Sequence, residues 1–371
     1  MSRIKILTVF GTRPDAIKMA PVVKEFQRRP ERFDLKVVVT GQHREMLDQV
    51  LKAFQIVPDH DLNIMQQGQT LAQITSRALT GLDEFLIGEK PEFVVAQGDT
   101  TTTFIAALAA FYHRAKFGHV EAGLRTGNRW DPYPEEMNRL LTTRLATLHF
   151  APTQAAADNL THEGVDPNAV HVTGNTVIDA MLAISATSYV ATDPVISGLL
   201  EWPGPVILVT AHRRENWGAP MERICRAVKT LIESQPQACV VFALHRNPTV
   251  RQSVLPILGE SDRVFLIEPP DYVPFVKLEQ KATLILTDSG GVQEEAPSLG
   301  KPVLVLRETT ERPEGVDAGT AMLVGTDVDK IVGESLRLLT DRAAYDAMAR
   351  AVSPYGDGHA ARRIVDLIDG T

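Results

Sequence analysis

The stretch ILTDSGGVQEEAPSLGKPVLV, residues 285–305, sets an apolar β-type run, a Ser-Gly-Gly turn, an acidic segment and a second apolar run in a row. It reads as strand, turn, helix and strand, one βαβ unit. Gly290 and Gly291 then have two readings. They let the chain reverse from strand to helix, or they bare backbone N–H groups at a helix N-terminus, where the dipole favours an anionic oxygen.

The same alternation runs along the whole chain. Apolar, β-branched runs at 5–10, 35–40, 93–97, 118–122, 149–153 and 169–174 are each followed by helical periodicity. The pattern stops in the Pro-, Gly- and Ser-rich segment 188–205 and restarts at 206–211, 239–245, 264–268, 283–288, 302–306 and 321–325. The expected fold is α/β, with two doubly wound Rossmann-like domains facing a central cleft. The first domain is placed at 1–187, joined by a C-terminal amphipathic helix within 355–371, and the second at 188–354.

Composition agrees with a two-domain enzyme. A chain of 371 residues exceeds what one core serves, and 44% hydrophobic with 23% charged residues excludes a disordered chain. No run reaches the roughly 18 apolar residues of a membrane span. The N-terminal apolar core is too short for a signal peptide, so a cytoplasmic protein is expected. Cys225 and Cys239 are the only cysteines, too few for a disulfide framework or a cysteine metal site. A net charge of −8 argues against nonspecific nucleic-acid binding, so an anionic ligand must be met by local positive charge.

In parallel sheets ligands bind beyond the carboxyl ends of the strands, which makes the residues after each run informative. GTRPDAIK brings Arg13 and Lys18 to a helix start. QGDTTTT and HVEAGLRTG follow two runs joined by a single helix, so Asp99 and Glu121 fall at one sheet edge if their strands are neighbours. Paired carboxylates there can divide acid and base roles. Asp99 has a second reading as a helix cap. PEEMNR adds Glu135 and Glu136, whose helix-start position suits the dipole as well as catalysis. His212, Arg213 and Arg214 follow one run of the second half, His245 and Arg246 another, and Arg312 a third. Ser289, Gly290 and Gly291 would receive a phosphate through backbone N–H groups, and Glu295 a ribose diol. No G-x-G-x-x-G, Walker, H-E-x-x-H or G-x-S-x-G motif is present.

VFGTRPDAIKMAPVV, TGQHREMLDQVL, GDTTTT, HVEAGLRTG, PEEMNR, HRREN, LTDSGGVQEEAPSLGKPVLVLRETTERPE and SPYGDG occur in this order. Together they resemble the non-hydrolysing UDP-N-acetylglucosamine 2-epimerases from about residue 4 to about residue 368. The resemblance implies a glycosyltransferase-B-like fold, a homodimer and no cofactor or metal. It also implies reversible conversion of UDP-N-acetylglucosamine to UDP-N-acetylmannosamine for envelope polysaccharides, without nucleic-acid or membrane partners. Arg13, Lys18, His212, Phe275, Ser289, Gly290, Gly291, Glu295 and Arg312 match UDP-contacting positions. Asp99, Glu121 and Glu135 match the catalytic acids, and His212 is counted with them as well. Asp15, Gln97 and Ala211 depart from the commoner Glu, His and Gly.

The implied chemistry eliminates UDP to give 2-acetamidoglucal and adds it back after reprotonation on the other face. A glycosyltransferase of the same architecture shares the nucleotide cradle but needs an acceptor site, and a nucleotide-sugar sensor needs only the cradle. Within the family, a UDP-2,3-diacetamido-uronate is an alternative substrate.

Overall fold

The computed structural model describes residues 3–41, 44–66 and 68–371. Gln42 and His43 of TGQHREMLDQVL lie outside the described residues. The chain forms two compact units, residues 1–180 with 355–371, and residues 181–354.

In the first unit the strands are β1 (Ile4–Phe10), β2 (Phe33–Val39), β3 (His60–Asp61), β4 (Phe93–Gln97), β5 (Lys116–Val120), β6 (Leu148–Ala151) and β7 (Val170–Val172). They pair in the order β3-β2-β1-β4-β5-β6-β7, every ladder parallel. The second unit has β8 (Val206–Thr210), β9 (Cys239–Ala243), β10 (Val264–Ile267), β11 (Leu284–Thr287), β12 (Val303–Val305) and β13 (Ala321–Leu323). Their order is β10-β9-β8-β11-β12-β13, again all parallel. Strand order reverses between β1 and β4 in one sheet and between β8 and β11 in the other. Both reversals open a crevice at the carboxyl edge.

The central strands are buried on both faces, which is why they read as continuous apolar runs rather than alternating ones. Two expectations differ in detail. The run 118–122 ends as a strand at Val120, because Glu121 turns into the left-handed region with φ 60°. The edge strand β3 has only two residues and carries no pattern to read.

The segment 188–205 belongs to the second unit. Its helix Pro194–Leu200 buries Ile196 and Leu199 in the core of the second unit, with Leu208 and Val241. The division between units falls at 180/181, inside the helix Thr176–Ser185.

The C-terminal helix Ala360–Asp369 returns to the first unit and packs on the helix Arg13–Gln27. Ile364, Val365 and Ile368 are fully buried. Arg29 meets Asp366 at 2.6 Å, and Arg32 donates to Asp369. Asp179 accepts from the N–H groups of Ala360 and Ala361 at 3.2 and 2.9 Å, anchoring the start of the helix. Ile364→Ala is therefore expected to destabilise the first unit by about 2–5 kcal/mol. In hydrogen exchange, amides of the Arg13–Gln27 helix should lose protection while those of β8 and β11 keep it. Faster exchange confined to the second unit would contradict this docking.

Candidate functional site

In the first unit, β1 runs into the helix Arg13–Gln27 through a capping box in which Thr12 and Asp15 satisfy each other's backbone N–H groups. Arg13 takes the first helical position and is half-buried. Asp15 also receives the Thr100 hydroxyl at 3.4 Å, and burial raises its pKa to about 6. This departure from the commoner Glu thus serves as a cap between the ends of β1 and β4.

The strands β4 and β5 are parallel neighbours with Gln97 opposite Val120, so Asp99 and Glu121 do end side by side. The capping reading of Asp99 fails, because Thr100 is the cap, accepting from the Thr103 N–H at 3.3 Å. Asp99 is instead held by Arg139, whose Nη2 donates to Oδ2 at 2.6 Å, and by Asn138, which donates to its carbonyl at 2.9 Å. Asp99 Oδ1 has no hydrogen bond among the described residues.

Glu121 is a hub. Lys18 Nζ lies 2.5 Å from Oε1, Asn175 Nδ2 donates to the same oxygen at 3.2 Å, and Gln97 donates to Oε2. A non-glycine residue in the left-handed region is strained by about 1–2 kcal/mol. Three donors converging on one carboxylate offset that strain. Gln97 therefore acts on Glu121 and not on Asp99. Of the two glutamates in PEEMNR, Glu136 is structural. It is buried and accepts from Thr126 and Gly127 N–H groups and from Arg139 at 3.0–3.2 Å. Glu135 stands half-buried at the first position of the helix Glu135–Leu145.

In the second unit, β11 ends in Asp288, which is fully buried. Its Oδ2 accepts from the N–H groups of His212 and Arg213 and from Asn216 Nδ2, each at 2.9 Å. His212 Nδ1 lies 3.2 Å from the other oxygen. Burial lowers the His212 pKa, and the Asp288 charge opposes that. Asp288 thus ties the turn after β8 to the turn after β11, across the point where strand order reverses.

Ser289 caps the helix Gly290–Ser298 by position only, since its hydroxyl makes no capping hydrogen bond. A Cβ on Gly290 would lie 3.8 Å from Arg213 Nη2 and 4.0 Å from the Arg312 guanidinium, and one on Gly291 3.8 Å from Glu295 Oε1. These are ordinary contacts, and neither glycine has positive φ. The fold requires glycine at neither place, and a helix N-terminus bare of side chains has room for an anion at its N–H groups. The two adjacent glutamates also separate. Glu294 grips Arg312 Nε, while Glu295 faces the first helical turn. Glu279 lies fully buried in the helix Tyr272–Lys281 with both oxygens unpaired among the described residues. Its pKa is raised, first by burial and then by the Glu295 charge. Phe275, on the same helix, is half-buried against the core.

The structure thus brings Lys18, Asp99 and Glu121 together at the ends of β4 and β5, and His212, Gly290, Gly291, Glu295 and Arg312 about the turns after β8 and β11. Among the described residues no hydrogen bond or ion pair links Arg13, Glu135 or Phe275 to these groups. Arg13, Lys18, Asp99, Glu121 and Glu135 are in the first unit; His212, Phe275, Ser289, Gly290, Gly291, Glu295 and Arg312 are in the second. Sequence reading missed Arg139, Asn175, Asp288 and Glu294 as partners, and it aimed Lys18 at a ligand alone although it is bound to Glu121. PEEMNR contained the signal for Arg139, an arginine one turn after two acids.

A family model described as UDP-N-acetylglucosamine 2-epimerase matches residues 24–369. The UDP-N-acetylglucosamine 2-epimerase of Bacillus subtilis (strain 168) is 55% identical over 366 residues, spanning 99% of this chain and 95% of that protein. A solved structure of a putative UDP-N-acetylglucosamine 2-epimerase from Listeria monocytogenes matches with a TM-score of 0.94 at 49% identity, covering 100% of this chain and 96% of that one. The Neisseria meningitidis UDP-GlcNAc 2-epimerase, solved bound to UDP-GlcNAc, matches with a TM-score of 0.86 at 47% identity, covering 99% and 100%. The fold is accordingly the glycosyltransferase-B-like pair of α/β domains expected from the sequence.

If the glycines serve close approach, Gly290→Ala should fold normally and gain up to about 1 kcal/mol of helix stability. Its affinity for the nucleoside diphosphate expected from the sequence should fall about ten-fold or more, near 1.4 kcal/mol. Calorimetric titration with UDP beside a thermal melt separates the two effects, and unchanged affinity would return Gly290 to a purely structural role.

Proposed function

The chain belongs to the UDP-N-acetylglucosamine 2-epimerase family and has that 2-epimerase activity, and we propose that it inverts carbon 2 by expelling UDP and adding it back. Its ligands are UDP-N-acetylglucosamine and UDP, as in the solved family members. UDP-N-acetylmannosamine is the product, a precursor for transferases that build envelope polysaccharides.

Carbon 2 of the sugar has no neighbouring carbonyl to stabilise a carbanion, so direct deprotonation is unfavourable. A carboxylate takes the carbon 2 proton as the C–H electron pair forms the C1–C2 double bond. The anomeric C–O pair leaves with UDP. Reprotonation on the opposite face and return of the phosphate oxygen to carbon 1 complete the inversion, with nothing oxidised or reduced overall. The observation that carries this reading is the pair Asp99 and Glu121 at adjacent strand ends, each held by a cation. Glu135 completes the set of acids. The N–H groups of Gly290 and Gly291, with Arg213 and Arg312 alongside, suit the charge that grows on the departing diphosphate, a preorganised electrostatic contribution. His212, set by Asp288, accompanies them, with Glu295 on the ribose and Phe275 among the UDP contacts.

We assign the protein to the cytoplasm, where nucleotide sugars are made. Among the described residues no helix is long and apolar enough to cross a membrane. We also assign it a homodimeric state. The helix Thr101–Tyr112 ends in exposed Phe111 and Tyr112, and Leu141 of the helix Glu135–Leu145 is exposed as well. Sedimentation at micromolar concentration tests this.

Asp99→Asn and Glu121→Gln should each reduce turnover by about 10²-fold or more while leaving UDP affinity within a few-fold. Glu295→Ala should do the reverse, weakening UDP by about ten-fold with the chemical step less affected. With UDP-N-acetylglucosamine alone in deuterated water, proton NMR should show epimerised sugar carrying deuterium at carbon 2. Product that keeps its original hydrogen throughout would count against proton exchange with a carboxylate, and a requirement for an acceptor would favour a transferase.

A further inference from the structure

His119 takes no part in that route, yet it lies fully buried on β5, two residues ahead of Glu121. Its Nε2 is 2.7 Å from the carbonyl oxygen of Gly98. A carbonyl can only accept, so Nε2 carries the proton. Nδ1 has no hydrogen-bond partner among the described residues, and burial pushes the pKa down to about 4, which keeps the ring neutral. An orphaned buried acceptor is unfavourable, and an apolar side chain at this interior strand position would avoid it. What the imidazole supplies in return is one N–H, delivered to the residue immediately before Asp99.

That residue is mechanically important. Gly98 has φ 79° and forms the turn out of β4. Its own N–H is bound to the Val120 carbonyl at 2.9 Å, so β5 grips Gly98 from both sides, through backbone on one and His119 on the other. Asn138 and Arg139 then hold the carbonyl and carboxylate of Asp99. With the His119 bond removed, the Gly98 carbonyl is released and the Gly98–Asp99 peptide gains freedom that glycine permits, leaving the Gly98 N–H on Val120 and the Asn138 and Arg139 bonds to orient Asp99.

We propose that His119 is a positioning residue of the epimerisation. Its Nε2–H fixes the Gly98–Asp99 peptide against β5, and so fixes the direction from which the Asp99 carboxylate meets the sugar. The inference rests on the proton-transfer role given to Asp99. His119 exchanges no proton with substrate.

The test compares His119→Leu, which removes the donor, with His119→Gln, whose side-chain amide can still reach the Gly98 carbonyl. The leucine variant should lose at least ten-fold in kcat, with KM and the UDP dissociation constant within about three-fold of wild type. The glutamine variant should recover most of the loss. A leucine variant with kcat within three-fold of wild type would overturn the proposal. So would a glutamine variant as impaired as the leucine one, or kcat and UDP affinity falling together with the melting temperature. If the leucine variant does not fold, nitrogen-15 spectra of the wild-type imidazoles decide. A protonated, slowly exchanging Nε2 on His119 between pH 6 and 8 supports the proposal, and the opposite tautomer overturns it. Asp99→Asn run in parallel separates the two ideas. Full turnover in that variant removes the role of Asp99 itself, whereas an inactive Asp99→Asn beside an active His119→Leu removes only the inference about His119.

Discussion

In a parallel sheet every strand delivers its last residue to the same edge, and where the strand order reverses the flanking connections turn away from each other and leave that edge open. The rest of this structure depends on that constraint. It brings the Gly-Thr-Arg turn after β1 beside the Gly-Asp turn after β4, and the His-Arg turn after β8 beside the Asp-Ser-Gly turn after β11. Residues far apart in sequence become neighbours because the backbone ladders leave them nowhere else to go. The side chains then fasten the turns in pairs, Asp15 with Thr100 in one unit and Asp288 with His212 and Arg213 in the other.

Charge is handled locally. The chain is acidic as a whole, with a net charge of −8, yet Asp99 and Glu121 are each matched to a cation and Arg312 to a carboxylate. Arg139 is shared between Asp99 and Glu136, and Arg312 is fixed by Glu294. A partly buried pair of this kind contributes little net stability once desolvation is counted, so its value lies in direction. In the proposed function, Glu294 fixes the direction in which the Arg312 guanidinium meets the developing negative charge. Glu279 shows the opposite case, a fully buried acid with no cation paired to it among the described residues, whose pKa burial raises.

Most of the architecture was legible because strands buried on both faces are continuous apolar runs and the helices between them keep a different period. The lapses have physical causes. β3 is too short to have a period, and β5 stops early because Glu121 leaves the extended region, which side-chain type does not announce. Within the site, the acids and the Ser-Gly-Gly turn stood out by residue type and place, and the chemistry assigned to them came from the order of eight motifs. Their partners were not visible. Arg139 reaches Asp99 across 40 residues, Asn175 reaches Glu121 across 54, and Asp288 binds His212 across 76. Such pairings follow from strand order, which local pattern does not contain. Asp288 sits inside the segment that decided the fold, yet it was read only as the last residue of the run 283–288.

The helix Ala360–Asp369 closes the first unit, although the whole second unit precedes it in the chain. On the ribosome, residues 1–180 therefore emerge with part of their core uncovered and wait through the synthesis of some 170 further residues before Ile364, Val365 and Ile368 arrive. The second unit has all its strands in one continuous stretch and can complete itself first. Assembly thus runs against chain order, and the half carrying the acids is the last to become finished. A ribosome that stops early leaves the second unit complete and the first unsealed, a product whose exposed apolar surface marks it for chaperones and proteases.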